Sequence, residues 1–285
     1  MHRREKLSVV LGSLIAVGRT SEVYRYGKDA VAKVLGPRVP DHWAAAEASL
    51  TESVCKLGIP APEVLEVTVI DGRPTIIFEL IDGPTMWQLM SQEPAALPSL
   101  VHQFAEIQRS IHRSGVPDLL PGNVDRMCSK IAVVDAVSDA DRRVAIDVAR
   151  SLPRGAAMLH GDLHPGNILV GPNGLVVIDW FDASVGHPAA DVVRSGLLIG
   201  PHTLTDRRHL PGATDADLAA MEAAYLDEMS DVLVEAADRL DEWHAVTALS
   251  RIAEGTDDDV GALVSRWAEH RARFASDETA AVRPR

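Results

Sequence analysis

Cysteine is nearly missing from this chain of 285 residues: Cys55 and Cys128 are its only two, and they fall in separate predicted helices. Two thiols so placed make neither a disulfide framework nor a zinc pattern, which fits a reducing, cytoplasmic compartment. Long hydrophobic runs are missing too. No stretch approaches the roughly 18 apolar residues of a membrane span. The N-terminus, Met1 to Lys6 followed by Leu7 to Gly18, has the outline of a signal peptide, but Ser8, Gly12 and Ser13 interrupt its apolar part. Positive charge is scarce: 28 Lys and Arg stand against 41 Asp and Glu, a net charge of −13. Nucleic acid and anionic membrane are therefore poor partners. Internal repeats and low-complexity linkers are lacking as well. With 46% hydrophobic residues, the chain has enough apolar material for a sizeable core, in one large domain or two lobes.

What is present is concentrated between Met158 and Trp180. Asp162 lies in a polar loop, Asn167 follows five positions later, and Asp179 ends an apolar run. Ile168 to Val170 and Leu175 to Ile178 are β-prone runs separated by Gly171-Pro-Asn-Gly174, a hairpin signal. A hairpin is expected to return Asp179 to the side of Asn167. An amide oxygen and a carboxylate there suit Mg²⁺, which takes few protein ligands and completes its shell with water and phosphate oxygens. Asp162 would then accept a proton from a nucleophile near that metal, a layout used in phosphoryl transfer. A second reading takes His160, Asp162 and His164 as a transition-metal cluster of a hydrolase, but it leaves Asn167 and Asp179 without a task.

The run His160-Gly-Asp-Leu-His-Pro-Gly-Asn167, followed by Ile178-Asp-Trp180, resembles the catalytic signature of the aminoglycoside phosphotransferase and choline kinase-like family, small-molecule kinases with a protein-kinase-like fold. Protein kinases carry Arg where Gly161 stands and Phe-Gly after the metal Asp, where this chain has Trp180. From Asp179 to Asp191 there is also no room for a long activation segment. The resemblance implies ATP, or alternatively GTP, as donor with Mg²⁺, Asp162 as catalytic base, and Asn167 and Asp179 on the metal. It further implies that Asp191, after Gly186-His-Pro188, holds the catalytic loop. His160 and His164 are expected to support that loop, His164 by touching phosphate or by shaping the turn.

Upstream, Val9 to Val17, Glu22 to Tyr26, Ala30 to Leu35, Val64 to Ile70 and Thr75 to Leu80 read as five antiparallel strands. The first turn, with Gly18, Thr20 and Ser21, would cover nucleotide phosphates with backbone N–H groups and hydroxyls. Lys33 is a lone lysine in an apolar strand and needs an anionic partner. Glu47 supplies one: the next helix, N-capped at Asp41 and closed by Gly58 and Pro60, shows an apolar face of Trp43, Leu50, Val54 and Leu57 with Glu47 on it. Glu52 lies off that stripe. The backbone from Glu79 to Ile81, before Asp82-Gly-Pro84, would meet an adenine edge at a hinge.

Beyond Pro84 the chain reads as helical apart from the catalytic stretch, with predicted helices at Leu100 to His112, Ile131 to Val148, Ala189 to Leu198, Asp215 to Ala248 and Asp257 to Phe274. Residues 201 to 285 hold 18 acids against 9 arginines and no lysine, which is −9 of the total. Such a surface suits an amino-bearing, cationic acceptor by long-range attraction, with Asp182, Glu222, Tyr225, Glu228 and Asp231 as candidate contacts; solvated helix faces are the alternative. The expectation is an α+β, two-lobed protein-kinase-like fold: an N-terminal five-stranded antiparallel sheet plus helix (1–81) and a mainly helical C-terminal lobe (82–285). It would transfer the γ-phosphoryl group of ATP to a hydroxyl of an aminoglycoside-like antibiotic, sugar or amino alcohol. A metabolic kinase and a silent nucleotide-binding module share the same core.

Overall fold

The computed structural model describes residues 11–37, 39–118, 120–201, 210–255 and 260–281. Met1 to Val10, which include the leader-like start and the beginning of the predicted first strand, lie outside the described residues, as do 257–259 of the last predicted helix. The chain divides into two units, Met1–Gly83 with Val170–Phe181, and Pro84–Leu169 with Asp182–Arg285.

The first unit is built on a five-stranded antiparallel sheet. Its strands are β1 (Leu14–Val17), β2 (Ser21–Tyr26), β3 (Ala30–Leu35), β4 (Val64–Ile70) and β5 (Arg73–Glu79), in the order β1-β2-β3-β5-β4. β3 is central, and its alternation sorts the core. Ala32 and Val34 pack on one face with Ile77 and the half-buried Tyr24 and Tyr26. Leu35, with Val31, packs on the other against Ile76, Phe78 and helix α1 (His42–Lys56). Because side chains alternate with period two, Lys33 shares the α1 face. Arg73 ties the sheet together through Glu22 (2.6 Å) and the Leu35 carbonyl (2.8 Å).

The stripe of α1 differs from the expected one. Its buried residues are Ala44, Glu47, Ala48, Thr51 and Val54, whereas Trp43 and Leu50 are half-buried and Leu57 is exposed. Two alanines let the helix approach the sheet closely, which large residues on that line would prevent. Glu47 falls between them, and Glu52 is exposed. Asp41 occupies the N-cap position without a side-chain capping bond.

The second unit is mostly helical: α2 (Met86–Gln92), α3 (Leu97–Arg113), α4 (Asn123–Ile131), α5 (Asp139–Ser151), α6 (Pro188–Ile199), α7 (Asp215–Glu228), α8 (Ser230–Leu233), α9 (Leu240–Ile252) and α10 (Val260–Ala281). The one or two helices expected over 131–148 are the end of α4, a connection, and α5. Ser138 starts α5 by accepting the Asp141 N–H at 3.1 Å, as N-cap serines do. The predicted run from Asp215 to Ala248 is likewise broken into α7, α8 and α9. Thr214 caps α7 through a capping box with Asp217. α6 is buried along almost its whole length, which is why it carries so few polar residues. A two-stranded ladder, β6 (Ala157–Leu159) with β9 (Ser184–Gly186), brackets the polar loop that follows β6. Strands β7 (Ile168–Gly171) and β8 (Gly174–Val177) form the expected hairpin. No helix among the described residues is long and apolar enough to cross a membrane.

Candidate functional site

In the first unit, the charge on β3 is answered from two directions. Lys33 Nζ donates to Glu47 Oε1 at 2.5 Å and to Asp179 Oδ1 at 2.9 Å. Burial opposes the ammonium, but the carboxylates of Asp179 and Glu47 outweigh it and raise its pKa, so Lys33 stays charged. Glu47 is buried, whereas the Asp179 side chain is 46% exposed and can reach a ligand. Asp179 adopts φ 64°, a left-handed conformation that non-glycine residues avoid. Such strain persists where surroundings impose it and clusters at functional sites. Here Trp180 donates its indole N–H to the Val177 carbonyl (3.0 Å), and Phe181 packs on Trp43 with ring centroids 4.2 Å apart.

The Gly18–Ser21 turn is closed by Gly18 N–H to the Ser21 carbonyl (2.8 Å), and the Gly36 N–H reaches the Thr20 carbonyl (2.7 Å). Ser21 is buried while Gly18 and Thr20 are exposed. Around Glu79 to Ile81, the Glu79 N–H goes to the Glu63 carbonyl (3.0 Å) and the Leu80 N–H to Asp29 (2.9 Å). The Glu79 carboxylate accepts the Glu63 N–H at 2.9 Å, so that side chain serves the sheet.

In the second unit, residues 160–167 form one loop hung on a buried carboxylate. Asp191 accepts from the backbone N–H groups of His160 (3.1 Å) and Gly161 (2.8 Å), from Gln108 Nε2 (3.1 Å), and contacts His112 Nε2 (3.1 Å). Burial would push its pKa up, but His112 and the other donors bring it down to about 2. Gly161 has φ 80°, and a Cβ there would overlap the Asp182 carbonyl oxygen. This is the physical reason a glycine stands at that place. The imidazoles shape the loop: Nδ1 of His160 accepts the Asp162 N–H (3.2 Å), and Nδ1 of His164 accepts the Gly166 N–H (3.1 Å). Among the described residues no three His, Cys, Asp or Glu side chains are grouped to hold a metal, which removes the support for the His160/Asp162/His164 cluster. Asn167 donates Nδ2 to the Asp162 carbonyl (2.9 Å).

Asp162 itself carries a partner that sequence reasoning missed. Its Oδ1 accepts from Arg194 Nη2 at 2.7 Å. Burial works to raise its pKa, but Arg194, His164 and Arg251 bring it below the usual aspartate value, so it is ionised at neutral pH. Arg194 in turn forks onto Glu254 (2.9 Å), which also holds Arg251 (2.6 Å) and Lys130 (2.6 Å). Lys130 lies 3.6 Å from Asp182, which is paired with Arg126. Among the described residues, Arg126, Lys130, Arg194 and Arg251 thus interleave with Asp162, Asp182 and Glu254 beside the loop. A signal for Arg194 was available: with Asp191 it is one of two charges in the otherwise apolar run of α6, an argument akin to the one that singles out Lys33.

On the acidic helices, the candidate contacts divide between packing and surface pairs. Glu222 is buried against Arg266 (2.7 Å), and Tyr225 is fully buried with its hydroxyl donating to Gln108. Glu228 pairs with His102 (3.0 Å) and Asp231 with Arg109 (2.8 Å). Glu222 and Tyr225 thus face inward, whereas the side chains of Glu228 and Asp231 are 37% and 57% exposed. Asp182 is different, because it belongs to the charged cluster beside the loop.

Comparison with known proteins agrees with this geometry. The chain matches the model of APH, the phosphotransferase enzyme family, over residues 12–243. The uncharacterized protein YcbJ of Bacillus subtilis (strain 168) is 26% identical over 179 residues, a match that spans 55% of this chain and 56% of that relative's length. Similar solved structures include a thermostable mutant of aminoglycoside phosphotransferase APH(4)-Ia in its apo form (18% identity, 96% of each chain, TM-score 0.61). A choline/ethanolamine kinase family protein from Mesorhizobium loti is similar over 92% of this chain and 87% of its own, at 20% identity and TM-score 0.56. These likenesses extend over the sheet, the helical unit and the loop alike, and the fold is protein-kinase-like. The chain belongs to the APH phosphotransferase enzyme family.

Proposed function

We propose that the protein transfers the γ-phosphoryl group of ATP to a hydroxyl group of a small molecule. The observation that carries this reading is Lys33, kept charged on a buried strand by Glu47 and Asp179. A fixed ammonium next to an accessible carboxylate is an arrangement suited to nucleotide phosphates with a divalent cation. Lys33 positions the phosphates and Glu47 holds Lys33. The turn of Gly18, Thr20 and Ser21 covers the phosphates, and the backbone near Ile81 meets the base. Asn167 Oδ1 and the Asp179 carboxylate are the hard-oxygen donors that would hold Mg²⁺, which when bound would neutralise charge on the phosphate oxygens.

The chain's own contribution is positioning and electrostatics. Asp162, ionised and pinned through Oδ1 by Arg194, offers Oδ2 to the acceptor hydroxyl. As the acceptor oxygen bonds to the γ-phosphorus, the bond to the β–γ bridging oxygen breaks. ADP departs with the electron pair, and the hydroxyl proton passes to Asp162. A solved relative, an APH(4)-Ia variant, is a ternary complex with AMP-PNP and hygromycin B, and another relative, an aminoglycoside 2'-phosphotransferase-IIIa, holds GDP. Both nucleotides therefore belong in the assay.

The test is ADP or GDP release with Mg²⁺ across aminoglycosides, sugars, amino alcohols and hydroxy acids, above the rate without acceptor. Asp162→Ala is expected to lower transfer by at least ~10², in the range of a lost general base, with nucleotide affinity kept. Lys33→Ala is expected to weaken nucleotide use. Full transfer by Asp162→Ala would sink the assignment.

A further inference from the structure

The sheet of the first unit ends on one side at β4, and among the described residues no further strand pairs with its outer edge. An open edge presents unpaired N–H and C=O groups, which folded proteins normally blunt with lysine, proline or a very short strand. β4 has none of these. It runs for seven residues, Val-Leu-Glu-Val-Thr-Val-Ile, with Glu66 as its one charge. Its apolar side chains also meet water: Val67 is 45% exposed and Val69 66%.

The register with β5 says which backbone groups are free. In an antiparallel pair, hydrogen-bonded and non-hydrogen-bonded positions alternate. Val69 stands opposite Pro74, which has no N–H to give, so these two form a non-hydrogen-bonded pair. Two residues along, Val67 and Ile76 form another. The N–H and C=O groups of Val67 and Val69 therefore point away from the sheet, while those of Thr68 and Ile70 turn toward β5. The register shifts between Val64 and Glu66, so the regular stretch is 66–70. Both valines lie on the α1 face, because Ile76, opposite Val67, packs with Ala44 and Ala48 of that helix.

We propose that β4 pairs antiparallel with β4 of a second copy of this chain, about a two-fold axis at Thr68, joining two five-stranded sheets into one of ten. The two outward-facing residues fix this register. Val67 of one copy exchanges both hydrogen bonds with Val69 of the other, and Val69 with Val67. Such an interface must be self-complementary, and the side chains comply. On the α1 face β-branched Val67 meets Val69, and on the opposite face Thr68 meets Thr68, pairs of the kind that stabilise sheets. Placing Val67 opposite itself would instead set Val69 against Leu65, inside the irregular stretch. Charge permits the pairing as well. Glu66 stands opposite Ile70 of the second copy and four residues along from the other Glu66, ~13 Å at ~3.3 Å per residue, which exceeds the Debye length of about 8 Å. The net charge of −13 is thus kept off the junction. Any strand satisfies the backbone groups of this edge; a second copy is matched in its side chains too.

The experiment measures the mass of the full chain by light scattering after size exclusion, over a range of concentrations. The mass is expected to rise from the 30.7 kDa of one chain towards twice that value. Val69→Pro removes an outward N–H that the fold does not use, a place where edge strands accept proline, and Val67→Lys sets a charge where the valines meet. Both are expected to remain monomeric with unchanged far-ultraviolet circular dichroism, and if the proline variant misfolds, the lysine variant carries the test. Thr68→Cys is expected to cross-link into a dimer with oxidised glutathione and to be released by dithiothreitol, because facing non-hydrogen-bonded residues have Cα atoms about 4.5 Å apart, within disulfide reach. Glu66→Cys is expected to stay at the background set by Cys55 and Cys128 in the unmodified protein. A monomeric mass at every concentration overturns the proposal. So does a dimer that survives in Val67→Lys, or cross-linking of Glu66→Cys equal to that of Thr68→Cys.

Discussion

Two cations, each set in a largely apolar element, organise the charged groups of the two units. Lys33 and Arg194 are both nearly buried, and each is bound to a buried glutamate and to a more exposed aspartate: Glu47 and Asp179 for the first, Glu254 and Asp162 for the second. Removing one member of such a pair leaves an uncompensated buried charge, at a cost of roughly 3–5 kcal/mol. Arg194 also depresses the Asp162 pKa. The acid limb of kcat/KM against pH is therefore expected to move to higher pH in Arg194→Gln and to stay in place in Arg194→Lys, which retains the charge. A pH profile of both variants, with stability measured alongside, checks this. An unmoved limb in the glutamine variant would show that Arg194 serves packing alone. Lys33 was legible from its neighbours in sequence because strand alternation assigns it a face. Glu254 was not, since its partners lie 60 and 124 residues away on α6 and α4.

At the scale of elements, the loop after β6 is built by exclusion. Gly161 needs its positive φ and lacks room for a side chain beside Asp182, and Asp191 gathers two of the loop's N–H groups. Gly161→Ala is expected to cost more than ~2 kcal/mol locally and to lower turnover at least ~10²-fold while the far-ultraviolet circular dichroism is unchanged. Gly72→Ala is the control: its φ is 76°, but a Cβ there would meet nothing within 4 Å, so it carries strain without overlap and should keep activity. Equal losses in the two variants would mean that overlap with Asp182 is irrelevant. The strands were legible because β-branched runs alternate between glycine-containing turns. The α1 stripe was misread because alanine was not counted as a facing residue, although close packing of helix on sheet calls for small side chains.

At the scale of the whole molecule, acid should unfold the protein in two stages. His244 on α9 is buried and accepts from Arg266 at 3.0 Å; burial first and the Arg266 charge second push its pKa down to about 3. Its folded pKa lies below the unfolded value of about 6.5, so the unfolded chain binds the proton first and stability falls as pH drops through that window. Between pH 7 and pH 5 the loss should be about 2 kcal/mol. Urea unfolding across this range measures it, and His244→Gln should flatten the slope; an unchanged slope would assign the loss elsewhere. Asp191 acts at lower pH. With a folded pKa of about 2, its contribution is complete above the ordinary aspartate range and vanishes as pH falls from about 4 towards 2.

The sequence by itself determined the five strands, the hairpin, the loop from His160 to Asn167 and the pairing of Lys33 with Glu47. Each of these depends on residues within one strand period, one helix turn or one short loop, where spacing translates directly into geometry. Only the tertiary structure decided what surrounds Asp162. Composition is acidic, yet α4, α6 and the end of α9 bring Arg126, Lys130, Arg194 and Arg251 to one place among Asp162, Asp182 and Glu254, and Glu222 of α7 is taken up by Arg266. Net charge sums over the whole surface, but an acceptor meets only the few groups within a Debye length or less of its seat, and helix packing chooses which groups those are.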